Sequence, residues 1–209
     1  MKTLIWDYNG TIVDDTLICL EVENFMLKER NMPVQLSLEE YREIFCFPVR
    51  NYYVRLGYTF ENETYEEISE EFTRLYDEQF PRCTLVAGFP EKLAEAKRKG
   101  WQNVIISAAR QDKLRSQIEG FGLTGSFAAV LGTDNLLGGS KIAMAKQWMA
   151  ASGTDPASCR LIGDSVHDME TALALGITDY TLVACGHQSY DLLCSHTERV
   201  VKTMPEVKL

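Results

Sequence analysis

The sequence predicts an α/β fold: a Rossmann-like, doubly wound parallel sheet core with an inserted α-helical cap. Three observations predict it. Five short β-type runs are apolar throughout rather than alternating, which suits strands covered on both faces. Helical patterns separate the later runs, and strand–helix alternation indicates an open parallel sheet. Between Asp14 and Cys83, by contrast, every periodic segment reads as helix.

The strand runs are Thr3–Trp6, Asn103–Ile106, Ala129–Leu131, Arg160–Ile162 and Tyr180–Val183, with a weaker sixth at Arg199–Val201 suited to a sheet edge. Glu91–Lys99 carries Leu93, Ala94 and Ala96 on one side and stops at Gly100. Asp112–Glu119 places Leu114 and Ile118 four apart, and Lys141–Ala151 repeats Ile142, Ala145, Trp148 and Met149 at helical spacing before Gly153. Asp168–Leu175 ends at Gly176. Within the insert, Thr16–Arg30 can be capped by Asp15 or Thr16, and Ser37 with Glu40 three residues on has the form of a capping box. A short helix runs from Pro48 to Leu56. Thr64–Phe80 is amphipathic, with Tyr65, Ile68, Phe72, Leu75 and Tyr76 in a stripe and glutamates on the solvated side. These elements divide the chain into a core of residues 1–14 and 84–209 and a helical cap of residues 15–83.

Composition narrows the function. With 45% apolar and 24% charged residues the chain is an ordinary globular protein. A net charge of −9 argues against a general nucleic-acid binder, which shows a basic face. No run of eighteen apolar residues exists to span a membrane, and Asp7 interrupts the first apolar run too soon for a signal peptide. The six cysteines form no C-x-x-C pair, so reduced thiols and a cytoplasmic location are the expectation. The sequence is silent on oligomeric state.

Ligands of open α/β sheets bind beyond the carboxyl ends of the strands. Three of the apolar runs end there in chemistry-bearing residues: Asp7, Ser107, and Gly163-Asp164 followed by Asp168. This set suits phosphoryl transfer. Asp7 and Asp164 can share a Mg²⁺ ion, while the second Asp7 oxygen attacks phosphorus. Ser107 and neighbouring backbone N–H groups such as that of Ala108 can hold a phosphate oxygen, and Lys141 can offset the charge.

With these motifs in order, the chain resembles the haloacid dehalogenase-like superfamily of hydrolases, in its phosphoglycolate-phosphatase-like branch. The resemblance rests on "DYNGT" at Asp7–Thr11, "IISA" at Ser107, Lys141, "GDSVHD" at Gly163–Asp168, the cap position, and the re-entry segment "AGFPEKLAEAKRKGWQNVIIS". It implies Asp7 as nucleophile and Mg²⁺ ligand, completed by the Asn9 backbone carbonyl and Asp164. It further implies Asp168 in the outer shell, Ser107 on phosphate, Lys141 positioning both, Gly10 and Thr11 in the turn leading to the cap, and a small phosphorylated substrate. Asp14 and Asp15 read as hinge or helix-cap residues.

Position 9 departs from the family pattern. Its phosphatases usually carry an Asp there that protonates the leaving oxygen, and Asn9 cannot exchange that proton. General acid–base help is worth roughly 10²–10⁴ in rate. The expectation is therefore a phosphohydrolase that is slow on alkyl phosphates and better on acyl or aryl phosphates. A metal-independent dehalogenase-type hydrolase and a non-catalytic phosphate-binding or regulatory protein are the alternatives. The Asp164/Asp168 pair weighs against the dehalogenase, because carboxylates crowded near Asp7 are costly without a cation. A phosphonate-cleaving relative would use a cap lysine, and Lys28 reads as a solvent-facing helix residue. His187, after the fifth strand, is a candidate substitute base. In the cap, "FCFPVRNYY" is the candidate substrate-facing loop, with Arg50 available to a second anionic group.

Overall fold

The computed structural model describes residues 2–34, 37–133 and 141–209. Six parallel strands form the main sheet: β1 (Thr3–Trp6), β4 (Gln102–Arg110), β5 (Ala129–Thr133), β6 (Cys159–Gly163), β7 (Asp179–Val183) and β8 (Val200–Val201). Their spatial order is β5-β4-β1-β6-β7-β8, the doubly wound arrangement in which the direction of winding reverses beside β1. Trp6 lies in register with Ile105 of β4 and Ile162 of β6, so the first strand is central and all four of its residues are buried.

Alternation along the strands assigns side chains to two layers. Leu4 and Trp6 of β1, with Ile105 and Ile162, join one apolar cluster; Ile5, Val104, Ile106 and Leu161 join the other. Helices α5 (Phe89–Arg98) and α6 (Gln111–Gly120) cover the first layer. Trp6 meets Phe89 of α5 edge to face at 5.3 Å, and its indole N–H donates to Asn103 Oδ1 at 2.9 Å. Helices α7 (Lys141–Ser152), α8 (Val166–Ala174) and α9 (Tyr190–Cys194) cover the second.

Between the first strand and α5 lie four helices: α1 (Thr16–Glu29), α2 (Leu38–Ile44), α3 (Val49–Leu56) and α4 (Tyr65–Gln79). Capping boxes start α2 (Ser37 with Glu40) and α4 (Thr64 with Glu67), as the sequence spacing suggested for the first. The chain enters and leaves this segment through a two-stranded antiparallel ladder, β2 (Val13–Asp14) with β3 (Thr84–Leu85). Two residues per strand are too few to leave a period in the sequence, and neither strand was expected. The five-residue α9 was also missed, for the same reason of length. The second strand runs to Arg110, four residues beyond its apolar run, because it continues along β5 across an irregularity between Ile106 and Arg110. Asp15 takes the N-cap position of α1 but caps nothing with its side chain, which turns instead toward the sheet edge. The Gly138-Gly139-Ser140 stretch that precedes Lys141 lies outside the described residues. No helix among the described residues is long and apolar enough to cross a membrane.

Candidate active site

Beyond the carboxyl ends of β1, β4 and β6, five of the sequence-derived residues converge. Lys141 Nζ, at the first turn of α7, donates to Asp7 Oδ1 at 2.5 Å and to Asp168 Oδ1 at 2.6 Å. Oxygen atoms of Asp7, Asp164 and Asp168 lie within 4.8 Å of one another. Ser107 is buried at the end of the apolar part of β4; its Oγ accepts from Ala109 N–H at 3.0 Å, which leaves the hydroxyl proton free to donate. Ala108 and Ser107 both line the cavity above Asp7.

Each carboxylate is held differently. Asp168 Oδ2 accepts from the backbone N–H of Asp164 and Ser165 and from Ser165 Oγ at 2.6 Å, so both of its oxygens are committed within the fold. Asp164 accepts from Thr11 Oγ1 at 3.1 Å and from His187 N–H at 2.7 Å. The second Asp7 oxygen takes no hydrogen bond from any described residue. The close packing requires glycine. A Cβ on Gly10, whose φ is +73°, would lie 2.4 Å from Asp164 Oδ2, and one on Gly186 would lie 2.1 Å from the same atom.

Three buried carboxylates face one ammonium, and the electrostatics follow from that imbalance. Burial and the neighbouring Asp168 and Asp164 push the Asp7 carboxyl well above the usual carboxylate range, against the pull of Lys141. Burial likewise raises Asp164 to about 6, with His187 opposing and Asp168 adding to the rise. Burial works against the charged forms of Lys141 and Asp168 too, but their contact overrides it: Lys141 is held above and Asp168 below its ordinary value. The cluster therefore lacks positive charge at the point where Asp7 and Asp164 meet. A hard divalent cation with oxygen ligands fits that donor set.

Around position 9 the structure adds residues that sequence reasoning passed over. Asn9 Nδ2 donates to Asp15 Oδ2 at 2.6 Å and to Tyr76 Oη at 3.0 Å, while Gly10 N–H and Tyr76 O–H donate to Asp15 at 2.9 and 2.7 Å. His187 Nε2 stands 3.4 Å from Asp15 Oδ1, and its Nδ1 is 2.8 Å from Tyr41 Oη. Asp15 is fully buried; burial opposes its charge, but His187, Asn9 and Tyr76 outweigh it and hold the carboxyl below its usual value. Burial also opposes protonation of His187, and Asp15 overcomes it, raising the imidazole to about 9. Tyr41 comes from α2 and Tyr76 from α4, so the inserted helices reach the sheet edge through side chains that no strand-end search could find. Asp15 has one sequence signal: with Cys19 and Glu23 it stands at i, i+4, i+8, on the face of α1 that is otherwise buried and mostly apolar.

The remaining expected residues fall elsewhere or in new company. Arg50 is exposed and lies over the Phe60 ring at 4.6 Å, away from the cavity lining. Other members of its loop, Phe45, Phe47, Tyr52 and Tyr53, do line the cavity. His167 stacks on Phe47 at 4.7 Å, joining α8 to the inserted segment. Lys28 stands in the last turn of α1 and is exposed.

With this geometry in place, the comparisons decide the family. A profile of haloacid dehalogenase-like hydrolases matches residues 4–181. The chain belongs to that family. Solved structures share its fold at low identity. A haloacid dehalogenase-like hydrolase from Streptococcus pneumoniae superposes with a TM-score of 0.78 at 16% identity, over 96% of this chain and 93% of its own. A predicted phosphoglycolate phosphatase from Haemophilus somnus gives 0.69 at 18%, over 97% and 94%. Protein tyrosine kinase A from Mycobacterium tuberculosis gives 0.79 at 21%, over 98% and 95%. A comparison with curated proteins gave no match.

Proposed function

We propose that this haloacid dehalogenase-like hydrolase is a Mg²⁺-dependent phosphohydrolase acting on a small phosphate ester through an aspartyl-phosphate on Asp7. One observation carries the reading: Lys141 bridges Asp7 and Asp168 while Asp164 converges on the same point and one Asp7 oxygen is left unbound. Mg²⁺ would be held by Asp7, Asp164 and the Asn9 carbonyl, with Asp168 outside them because Lys141, Ser165 and two backbone N–H groups already occupy its oxygens. When bound, the ion supplies positive charge that ionises the carboxylates and screens the incoming phosphate.

The chain's own residues account for the rest. Lys141 keeps its proton and orients Asp7 Oδ1, so the other oxygen faces the cavity. Ser107 donates to a phosphate oxygen. In the first step Asp7 forms an O–P bond as the ester oxygen leaves; in the second, water cleaves the acyl phosphate and restores the carboxylate. Asn9 has both amide hydrogens directed at Asp15 and Tyr76 and carries no acidic proton, so the first step favours leaving groups that depart as anions, such as acyl and aryl phosphates. In this reading residues 15–83 form a cap over a core of residues 1–14 and 84–209, and the protein works in the cytoplasm.

The test is a panel of alkyl, aryl and acyl phosphates with Mg²⁺. Turnover should vanish in EDTA and with Asp7→Ala. Activity that persists in EDTA refutes the metal-dependent mechanism.

A further inference from the structure

The cavity above Asp7 does not end at the phosphate end. About 260 Å³ in volume, it extends between the sheet edge and the inserted helices, and Asp15, Cys19 and Glu23 of α1 line one side of it at four-residue spacing. Eight helical residues separate Asp15 from Glu23, a rise of about 12 Å. Glu23 therefore marks the end remote from the sheet, and its side chain is 1% exposed.

Two features of that end point to a ligand. The first is an acidic group without a cation. Glu23 Oε1 accepts from Tyr58 O–H at 3.2 Å, and no described lysine, arginine or histidine pairs with it. Arg30 approaches, but its guanidinium is taken by Glu63 at 2.6 Å and Glu71 at 2.5 Å. Burial raises the Glu23 carboxyl to about 8. Keeping an acidic group in such a place is costly unless a partner arrives.

The second feature is the wall. Tyr53 lines the same cavity and meets Tyr58, the hydrogen-bond donor to Glu23, edge to face at 5.2 Å, and Tyr52 packs on Tyr53 at 5.9 Å. Phe45 and Tyr76 line the cavity nearer the sheet, against His187 and Asp15. Aromatic faces around a carboxyl attract an alkylammonium group through the ring quadrupoles as well as the charge. A carboxylated end would be repelled: the cavity's cations are already engaged, Arg110 with Asp112, Lys113 with Asp77 and Lys141 with Asp7 and Asp168.

We propose that this pocket selects phosphate esters whose organic part ends in an ammonium group, with Glu23 as counter-ion and the tyrosine-rich wall as its cage. The phosphate half of the inference rests on the phosphohydrolase reading; the ammonium half does not. Two measurements separate them.

In the first, n-butylammonium alone is titrated into wild type and Glu23→Gln by calorimetry at pH 9, where the Glu23 carboxyl is ionised and the amine still carries its proton. Wild type should bind it at least about tenfold more tightly, the loss expected for a charge-assisted contact. No binding to wild type, or equal binding by both, overturns the ammonium site whatever the enzyme hydrolyses. In the second, kcat/KM is compared for 4-aminobutyl phosphate, 4-hydroxybutyl phosphate and n-pentyl phosphate. The amine should lead by about tenfold in wild type, and the lead should collapse toward unity in Glu23→Gln. A ratio of one in wild type, or preference for the hydroxyl compound, overturns the inference and leaves the phosphohydrolase standing. Amine binding with no phosphate hydrolysed does the reverse. Should Glu23→Gln fail to fold, Tyr53→Leu, which removes one aromatic wall, carries both measurements with the same expected losses.

Discussion

Glu23→Gln tests the burial argument through stability alone. Desolvation raises the Glu23 carboxyl from 4.5 to about 8; the Tyr58 hydrogen bond and Arg30 pull it down, and Glu71 pushes it up. Below pH 4.5 both the folded and the unfolded chain hold the proton, and the fold has its full stability. Between pH 4.5 and 8 the unfolded chain releases the proton while the folded one retains it, so stability falls as pH rises and levels off above 8. At about 1.4 kcal/mol for each tenfold change, the full span corresponds to about 5 kcal/mol. That is a large share of the 5–15 kcal/mol typical of a domain. Glutamine keeps the shape and the acceptor for Tyr58 but carries no proton to lose. Urea unfolding of both proteins at intervals from pH 4 to 9 should therefore show the variant gaining on wild type as pH rises, with most of the gain between 5 and 8. Half that span would still be resolved by such curves. Parallel curves would refute the reasoning, and divergence of opposite sign would show Glu23 ionised inside the fold.

Four further outcomes are expected. Asn9→Asp places a second carboxylate 2.6 Å from Asp15, where two charges repel by about 6 kcal/mol at an effective dielectric of 20, so the pair retains one proton. Turnover of alkyl phosphates should rise by about tenfold or more, and that of aryl and acyl phosphates much less; equal changes would mean Asn9 serves another purpose. Mg²⁺ at a hundred times its dissociation constant should stabilise wild type against heat by about 2.7 kcal/mol, a gain that Asp164→Asn should abolish. Lys141→Ala should cut turnover by at least about a hundredfold under saturating Mg²⁺, read as a fall in kcat with single-turnover rates falling in parallel. Gly10→Ala should lower stability by at least about 1–2 kcal/mol in chemical denaturation, because alanine at φ +73° is strained and its methyl meets the Asp164 carboxylate.

Much of this architecture was legible in the sequence because its signals are local. Strands buried on both faces read as apolar runs, and all six expected ones appear within a few residues of their predicted ends. Asp7, Ser107 and Asp164 could be singled out because a polar residue ending such a run has few structural excuses. The contributions of the inserted helices were not legible. Tyr76 read as a member of an apolar stripe and Tyr41 carried no signal; only the packing of α2 and α4 shows their hydroxyls meeting His187 and Asp15. Asp15 read as a helix cap because caps are what aspartate does most often at that position. In the fold, Asn9, Gly10 and Tyr76 donate to it more effectively than the first turn of α1. Glu23 lay within an apolar face where periodicity suggests a hydrophobic residue, and that misfit was its signal.

The ladder of β2 with β3 places Asp14 directly opposite Thr84, side by side in an antiparallel pair. The two residues that bracket positions 15–83 are thus about 5 Å apart, the spacing a two-residue hairpin closes. An Asn-Gly turn could join them without stretching either strand, and so could any other segment whose own ends meet. The ladder thereby holds the two ends of the insert at a fixed width, so a segment of other sequence could be seated there with the carboxylates of Asp7, Asp164 and Asp168 left where they converge.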